Sequence, residues 1–386
     1  MKKGFTLVEM LGVFILLGVI ALIAVPAILK MSEEYEYDTF VESAKGILTA
    51  AETFHAENDY ENFPAGGLKI DDNRLNIKNK EQFEDGLVVY DEDTQKFELE
   101  LITNGTFCAN GSKDNLKITK GNCDTDSSCF EFQDNTILKY NFDKEECPNV
   151  IKIPERINGK QVKTIGKYAF VEIEEEKYCS SNNFASKTLK SYDYQESSSE
   201  VCLLKSLVDG NYYDSKLETI IFPSTLEVIE KNAFIGSNIK SLDFKKAVNL
   251  YEIGNAAFMG TMNLKEVIFP QTEPHVQKIG NYAFNNSSLE KINLNSLYRL
   301  TNIGDNAFSN TFLTDINLSG VSQLKYIGPY AFYKIQSNSV NLVLGSKLLL
   351  NTLGVNAFCE TNYNLVGDYE INNSISVDSL TSACIN

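Results

Sequence analysis

Three patterns of apolar and polar residues follow one another along the chain. The first is an apolar run from Phe5 to Leu29, placed behind Lys2 and Lys3 and interrupted only by Thr6, Glu9 and a few Gly and Pro residues. At ~1.5 Å per residue it predicts a helix about 37 Å long, enough to cross a bilayer core. The two lysines predict a cytoplasmic start, and the run is longer than the apolar region of a cleaved signal peptide. Phe40, Ala44, Ile47, Ala51 and Phe54 then recur at three- and four-residue steps with acids between them. The helix is therefore expected to continue to about residue 58 as an amphipathic rod. Phe63-Pro64-Ala65-Gly66-Gly67 ends it.

The second pattern is one of short strands: GLVVYDED, KFELELIT, LKITKG, CFEFQD and ILKYNF, with turn signals at Asn104-Gly105 and Asn110-Gly111. It predicts a small antiparallel sheet, and residues 59–147 are assigned to it as a β head.

The third pattern is a repeat. TIGKYAF, VIEKNAF, EIGNAAF, KIGNYAF, NIGDNAF, YIGPYAF and TLGVNAF end at Phe170, Phe234, Phe258, Phe284, Phe308, Phe332 and Phe358. Strand-like strings such as LETIIFP, IKSLDF, LKEVIFP, LEKINL and LTDINL lie between them. In one unit Leu289, Ile292 and Leu294 make the apolar side of a strand, and Leu300 and Ile303 supply the next layer. Gly304 is read as a turn residue of positive φ, Ala307 as the point of tight closure and Phe308 as interior filling. A single unit cannot bury such a face, so the units must stack into a solenoid. Its limits are set at 148–358, with a polar insertion at 171–216 and a capping tail at 359–386. Glu230 replaces the usual glycine, which predicts a departure in that turn.

The fold class is thus α+β: a long amino-terminal helix, a small antiparallel head and a mostly β solenoid. The 35 Lys and Arg against 52 Asp and Glu give a net charge of −17, a field that argues against nucleic acid as a partner. The eight cysteines are Cys108, Cys123, Cys129, Cys147, Cys179, Cys202, Cys359 and Cys384, with no CxxC, and the histidines are His55 and His275 alone. Zinc-site spacing is absent, and an even count behind an export signal reads as disulfides. Neighbour pairing is the simplest of the 105 connectivities that eight cysteines allow. Asp91-Glu92-Asp93 and Asp124-Thr125-Asp126 do not continue as calcium loops. No HExxH, P-loop or GxSxG occurs. No cofactor, metal or catalytic residue is expected, and the chain is read as a non-enzyme.

Glu9 is the exception in the first apolar run, because a lone carboxylate in a membrane helix costs on the order of 3 kcal/mol. Its context, GFTLVEM followed by an apolar helix containing Pro26, resembles the prepilin signature of type IV pilins and pseudopilins. That resemblance covers about 30 residues. It implies a leader at 1–4, cleavage by a prepilin peptidase between Gly4 and Phe5, and N-methylation of Phe5. It also implies a pairing of Glu9 with the amine of a neighbouring subunit during assembly and a helix bend at Pro26. The helix is then 5–58, and other pilin subunits and the membrane are its partners.

The repeat strings resemble BspA-type leucine-rich repeats, a family of bacterial surface proteins associated with adhesion. The resemblance implies a solenoid that binds an extracellular protein or surface ligand, with Tyr168, Tyr282, Tyr298, Tyr326 and Tyr330 as candidates for a sticky face. A minor or tip pilin subunit with an adhesive head is the expected role, with the bulk of the chain at the cell surface. A monomeric membrane-anchored adhesin and a pseudopilin of a secretion or DNA-uptake system are the alternatives.

Overall fold

A computed structural model of the protein describes residues 7–58, 63–64, 67–91, 94–121, 123–171, 216–344 and 350–366, with the backbone alone at 7–9, 11–21, 23 and 27. The chain forms two compact units, Met1–Cys123 and Asp124–Asn386.

The first unit is built on α1, Leu7–Glu57, an uninterrupted helix that contains Pro26. From Ile28 to Thr39 its side chains are exposed, and the packed face begins at Phe40. Phe40, Ala44, Ile47 and Ala51 of the anticipated stripe are buried together with Leu48, and Phe54 packs partly buried beside them. They cover a five-stranded antiparallel sheet in the order β1 (Leu68–Lys69), β2 (Asp85–Asp91), β3 (Lys96–Thr103), β4 (Phe107–Ser112), β5 (Lys117–Lys120). The alternation of the strands sets the face. Leu68, Val88 and Leu99 stand opposite one another across three strands, and with Ile102, Phe107 and Ala109 they complete the core under the helix. Lys113–Glu52 at 3.0 Å and Lys120–Glu33 at 2.5 Å join sheet to helix at the rim. A disulfide links Cys108 on β4 to Cys123.

The membrane span expected over Phe5–Leu29 rests on the sequence alone. Gly4 and Phe5 lie outside the described residues, as does the side chain of Glu9. Among the described residues no helix is long and apolar enough to cross a membrane.

The second unit starts earlier than the expected Pro148. Its opening hairpin, β6 (Phe130–Gln133) and β7 (Thr136–Tyr140), is antiparallel, and β7 then pairs in parallel with Thr164–Ile165, the first strand of the repeats. Residues 124–147 therefore form the first layer of the solenoid and not the last part of the head. The reason is interior shape: Ile137 stands in register with Ile165 and Ile229, and Tyr140 stacks on Phe170 at 5.5 Å and 18°. A second disulfide, Cys129–Cys147, closes this layer.

From there each coil contributes two strands. Val228–Ile229, Glu252–Ile253, Lys278–Ile279, Asn302–Ile303, Tyr326–Ile327 and Thr352–Leu353 extend the β7 sheet in parallel. On the other side, Ser241–Asp243, Glu266–Ile268 and Lys291–Ile292 form one parallel sheet. Asp315–Asn317, Val340–Val343 and Tyr363–Val366 form another. Between the ladders runs a column of rings. Phe170, Phe234, Phe258, Phe284, Phe308, Phe332 and Phe358 are all buried, and successive members stack 4.8–5.4 Å apart with planes within 14° of parallel. Leu289, Ile292, Leu294, Leu300, Ile303 and Ala307 point inward as the pattern requires.

The repeat glycine has a different task from the one expected. Gly304 is not among the residues of positive φ; that conformation falls two residues later, on Asn306 at +54°, and likewise on Asn232, Ala256, Tyr282, Tyr330 and Asn356. What Gly304 supplies is proximity: a Cβ there would lie 2.5 Å from the backbone nitrogen of Asn281 and 2.6 Å from the carbonyl carbon of Gly280. Glu230 does not alter its turn. Its N–H donates to the Ile165 carbonyl as that of Gly254 does to Ile229, and its carboxylate accepts the backbone N–H of Lys167 at 3.0 Å.

Candidate binding surface

The short strands leave every second side chain pointing outward, and stacking aligns those side chains into columns. On the β7 side the column reads Thr164, Val228, Glu252, Lys278, Asn302, Tyr326, Thr352. Glu252 and Lys278 pair across two coils at 2.7 Å, and one position earlier Lys163 and Glu227 do the same at 2.7 Å. On the opposite side Lys240 pairs with Glu218 at 3.6 Å and Lys265 with Glu290 at 2.5 Å. Such pairs between exposed side chains are each worth about 0–1 kcal/mol; their larger effect is to cancel charge over the earlier coils.

Towards the carboxy-terminal coils the columns change chemistry. Asn341 Nδ2 donates to Asp315 Oδ1 at 3.0 Å, and Asn364 Nδ2 donates to Asn341 Oδ1 at 3.2 Å. Thr314 Oγ1 donates to the other Asp315 oxygen at 3.3 Å. Phe312, 42% exposed, has the Lys265 ammonium 6.0 Å from its ring centroid; the preceding coil carries Ser288 in the equivalent place. A further ladder runs along the edge of the β7 sheet. Asn255 Oδ1 accepts from the Asn281 N–H, Asn281 Oδ1 from the Asp305 N–H, and Asp305 Oδ1 from the Tyr326 hydroxyl. Burial and the adjacent Asp305 carboxylate push the Tyr326 phenol up to about 12.

The five tyrosines do not form one face. Tyr168 and Tyr282 pack on an outer apolar cluster of Val171, Ile235, Ala256 and Met259, and the Tyr168 hydroxyl accepts from Asn232. Tyr326 is tied to Asp305, and Tyr330 accepts from Asn356 and packs edge-on against Tyr333. Tyr298 alone of the five is exposed, with the Arg299 guanidinium over its ring. Four of the five therefore lock coil to coil. The residues that the repeat reading passed over, Phe312 and the Asp315–Asn341–Asn364 ladder, are departures within a column, visible only once strands are in register.

The two histidines lie in different units. His55 is buried against Tyr90 and Phe97 and borders a cavity of about 410 Å³ in the first unit. The cavity's charges are matched, Lys113 to Glu52 and Lys96 to Asp114. His275 Nδ1 lies 2.9 Å from the Val248 carbonyl. Among the described residues no group of three or more His, Cys, Asp or Glu could hold a metal ion. Cys108–Cys123 and Cys129–Cys147 follow neighbour pairing. Cys359 is also disulfide-bonded, while Cys179, Cys202 and Cys384 lie outside the described residues.

Parallel coils, a stacked phenylalanine column and outward side-chain columns define a leucine-rich-repeat solenoid. The profile of the BspA type leucine rich repeat region matches 135–252, 177–273, 205–321 and 251–384, which together span more than half of the chain. The chain belongs to that family. Among solved structures it is similar to a leucine-rich repeat protein from Bacteroides ovatus, with 15% identity, coverage of 73% of this chain and 76% of that one, and a TM-score of 0.23. No curated protein matches it.

Proposed function

We propose that the chain is a cell-surface adhesin in which the solenoid is the recognition element and α1 the tether. The observation that carries this reading is the build of the coils. Their interiors are filled by Phe and aliphatic side chains, so the chemistry available to a partner is the aligned outer columns of many coils. An extended array of that kind suits a macromolecule better than a small substrate. The apolar run Phe5–Leu29 supports the tether, as do the exposed Leu22, Val25, Ile28, Leu29 and Met31 on α1, all more than half uncovered. The test is adhesion of beads carrying the full chain to bacterial cells, epithelial cells and matrix proteins. Saturable attachment, competed by free chain, is expected; attachment no greater than that of bare beads would remove the reading.

A second reading, a type IV pilin-like subunit, has its own support. A long helix whose carboxy-terminal half packs on an antiparallel sheet closed by a disulfide, Cys108–Cys123, is the build that the GFTLVEM resemblance implies. In this reading prepilin peptidase cuts between Gly4 and Phe5, Phe5 is methylated, and Glu9 pairs with a neighbouring subunit's amine. The amino-terminal mass of the protein recovered from its membrane decides it. A chain beginning at methylated Phe5 is expected; an intact Met1 would leave the simple anchor.

A further inference from the structure

On the face of the first unit's sheet that turns away from α1, strand register gathers three ionisable side chains. Leu68 and Val88 are paired and pack under the helix, so Lys69 and Leu87, paired one position along, face the other way. Leu87 is in turn opposite Glu100 on β3, which puts Lys69, Leu87 and Glu100 in one row across three strands. Asp85 stands two residues before Leu87, opposite Thr103, on the same face. Lys69 Nζ reaches over β2 to 3.9 Å from Asp85 Oδ1, an oxygen that also accepts the Gly86 N–H at 2.9 Å. The amine is thereby carried to the strand beside Glu100, whose Oε2 is shut off from solvent. The Lys69 side chain is 22% exposed and that of Asp85 5%. In such a place desolvation of both charges offsets their attraction, which brings the uncharged amine and carboxylic acid within reach. An uncharged lysine amine is a nucleophile.

From this geometry we propose that Lys69 and Asp85 become joined by an amide bond, formed once after folding, with Glu100 as the proton carrier. The Lys69 nitrogen attacks Cγ of the Asp85 carboxylic acid, and a C–N bond forms. The Glu100 carboxylate takes a proton from that nitrogen and passes it to the departing hydroxyl. The C–O bond breaks and one water leaves. Amine plus carboxylic acid gives amide plus water, with Glu100 regenerated, so the step needs no oxidant, cofactor or second substrate. The product replaces two charges on a largely buried face by a neutral amide, which is cheaper to hold out of water. It also fixes β1, a strand of two residues at the end of its sheet, where so short an element otherwise opens locally.

The experiment is peptide mapping of the full chain, purified in its folded state and only then denatured and digested with trypsin. An amidated Lys69 is no longer a cleavage point. Peptides 46–74 and 81–96 are therefore expected as one branched species, lighter than their sum by one water. Lys69→Arg is expected to lose the branched species entirely. Glu100→Gln, which keeps the shape of the side chain but cannot carry the proton, is expected to lose it as well. Closure of Cys108–Cys123 in each variant, with an unchanged far-UV spectrum, shows that the sheet has formed. Release of 46–69 and 81–96 as separate peptides of full mass from the unaltered chain would overturn the inference. So would a loss of one water confined to 81–96, the mark of a succinimide at Asp85-Gly86. A branched species that persists in Glu100→Gln overturns the assignment of the three roles.

Discussion

At the residue scale the repeat divides its labour between neighbours that look alike in sequence. Gly304 is held by contact with the coil beneath, whereas Asn306 two residues on bears the left-handed backbone. The two can be told apart by substitution. Gly304→Ala drives a methyl against the backbone of Gly280 and Asn281 and is expected to cost about 2–3 kcal/mol. Asn306→Gly should cost almost nothing and Asn306→Val about 1–2 kcal/mol, read as shifts of the urea midpoint. Phe308→Ala, which opens a gap between two stacked rings, should cost about 3–5 kcal/mol.

Titration gives a second residue-scale prediction. Tyr326 is raised above its ordinary value of 10 to about 12 by burial and by Asp305, and burial raises Tyr140 and Tyr363 further still. A raised folded value means stability that is present below pH 10 and lost as pH climbs through the folded value. Lys231 acts the other way. Desolvation and the neighbouring Lys167 lower its ammonium to about 8, so between about 8 and its ordinary 10.5 the unfolded chain binds more protons and stability rises with pH. Melting temperature should therefore rise from about pH 8, turn over between about pH 9 and 10, where three tyrosines outweigh one lysine, and decline beyond. Tyr326→Phe should soften the decline, and Lys231→Met should flatten the rise that precedes it.

At the scale of elements, the amino-terminal stripe and the repeat interiors were legible because burial imposes a strict period. Phe40, Ala44, Ile47 and Ala51 follow the helix turn, and every AF string ends on a stacked ring. The hairpin β6–β7 was misassigned because it lacks that string: ILKYNF carries Tyr140 where later coils carry Phe, and no glycine–alanine frame surrounds it. Only pairing in space, β7 against Thr164–Ile165, places it in the solenoid. The same holds for the candidate site, since Asp315, Asn341 and Asn364 are far apart in the chain and meet only through strand register. The hairpin's disulfide closes a loop across a sequence separation of 18, worth about 3 kcal/mol in the chain-entropy view. Replacing Cys129 and Cys147 by Ala should selectively raise amide hydrogen exchange in β6 and β7 and leave the coils beyond Phe258 protected.

At the scale of the molecule, the chain is two units with separate cores. One is a helix and sheet stapled by Cys108–Cys123; the other is a stack whose every layer rests on the next. The phenylalanine column has a mechanical consequence. For a chain held at α1 and pulled through a ligand on the last coils, load reaches the column from its far end. Each layer there rests on the one before it, ring stacked on ring, so the stack should yield by peeling, one layer at a time. A coil of 24 residues drawn straight spans about 80 Å, against the ~5 Å it fills in the stack. A few lost layers would let a tethered cell drift by its own surface roughness without letting go, and slackening would allow the layers to rewind onto those still in place.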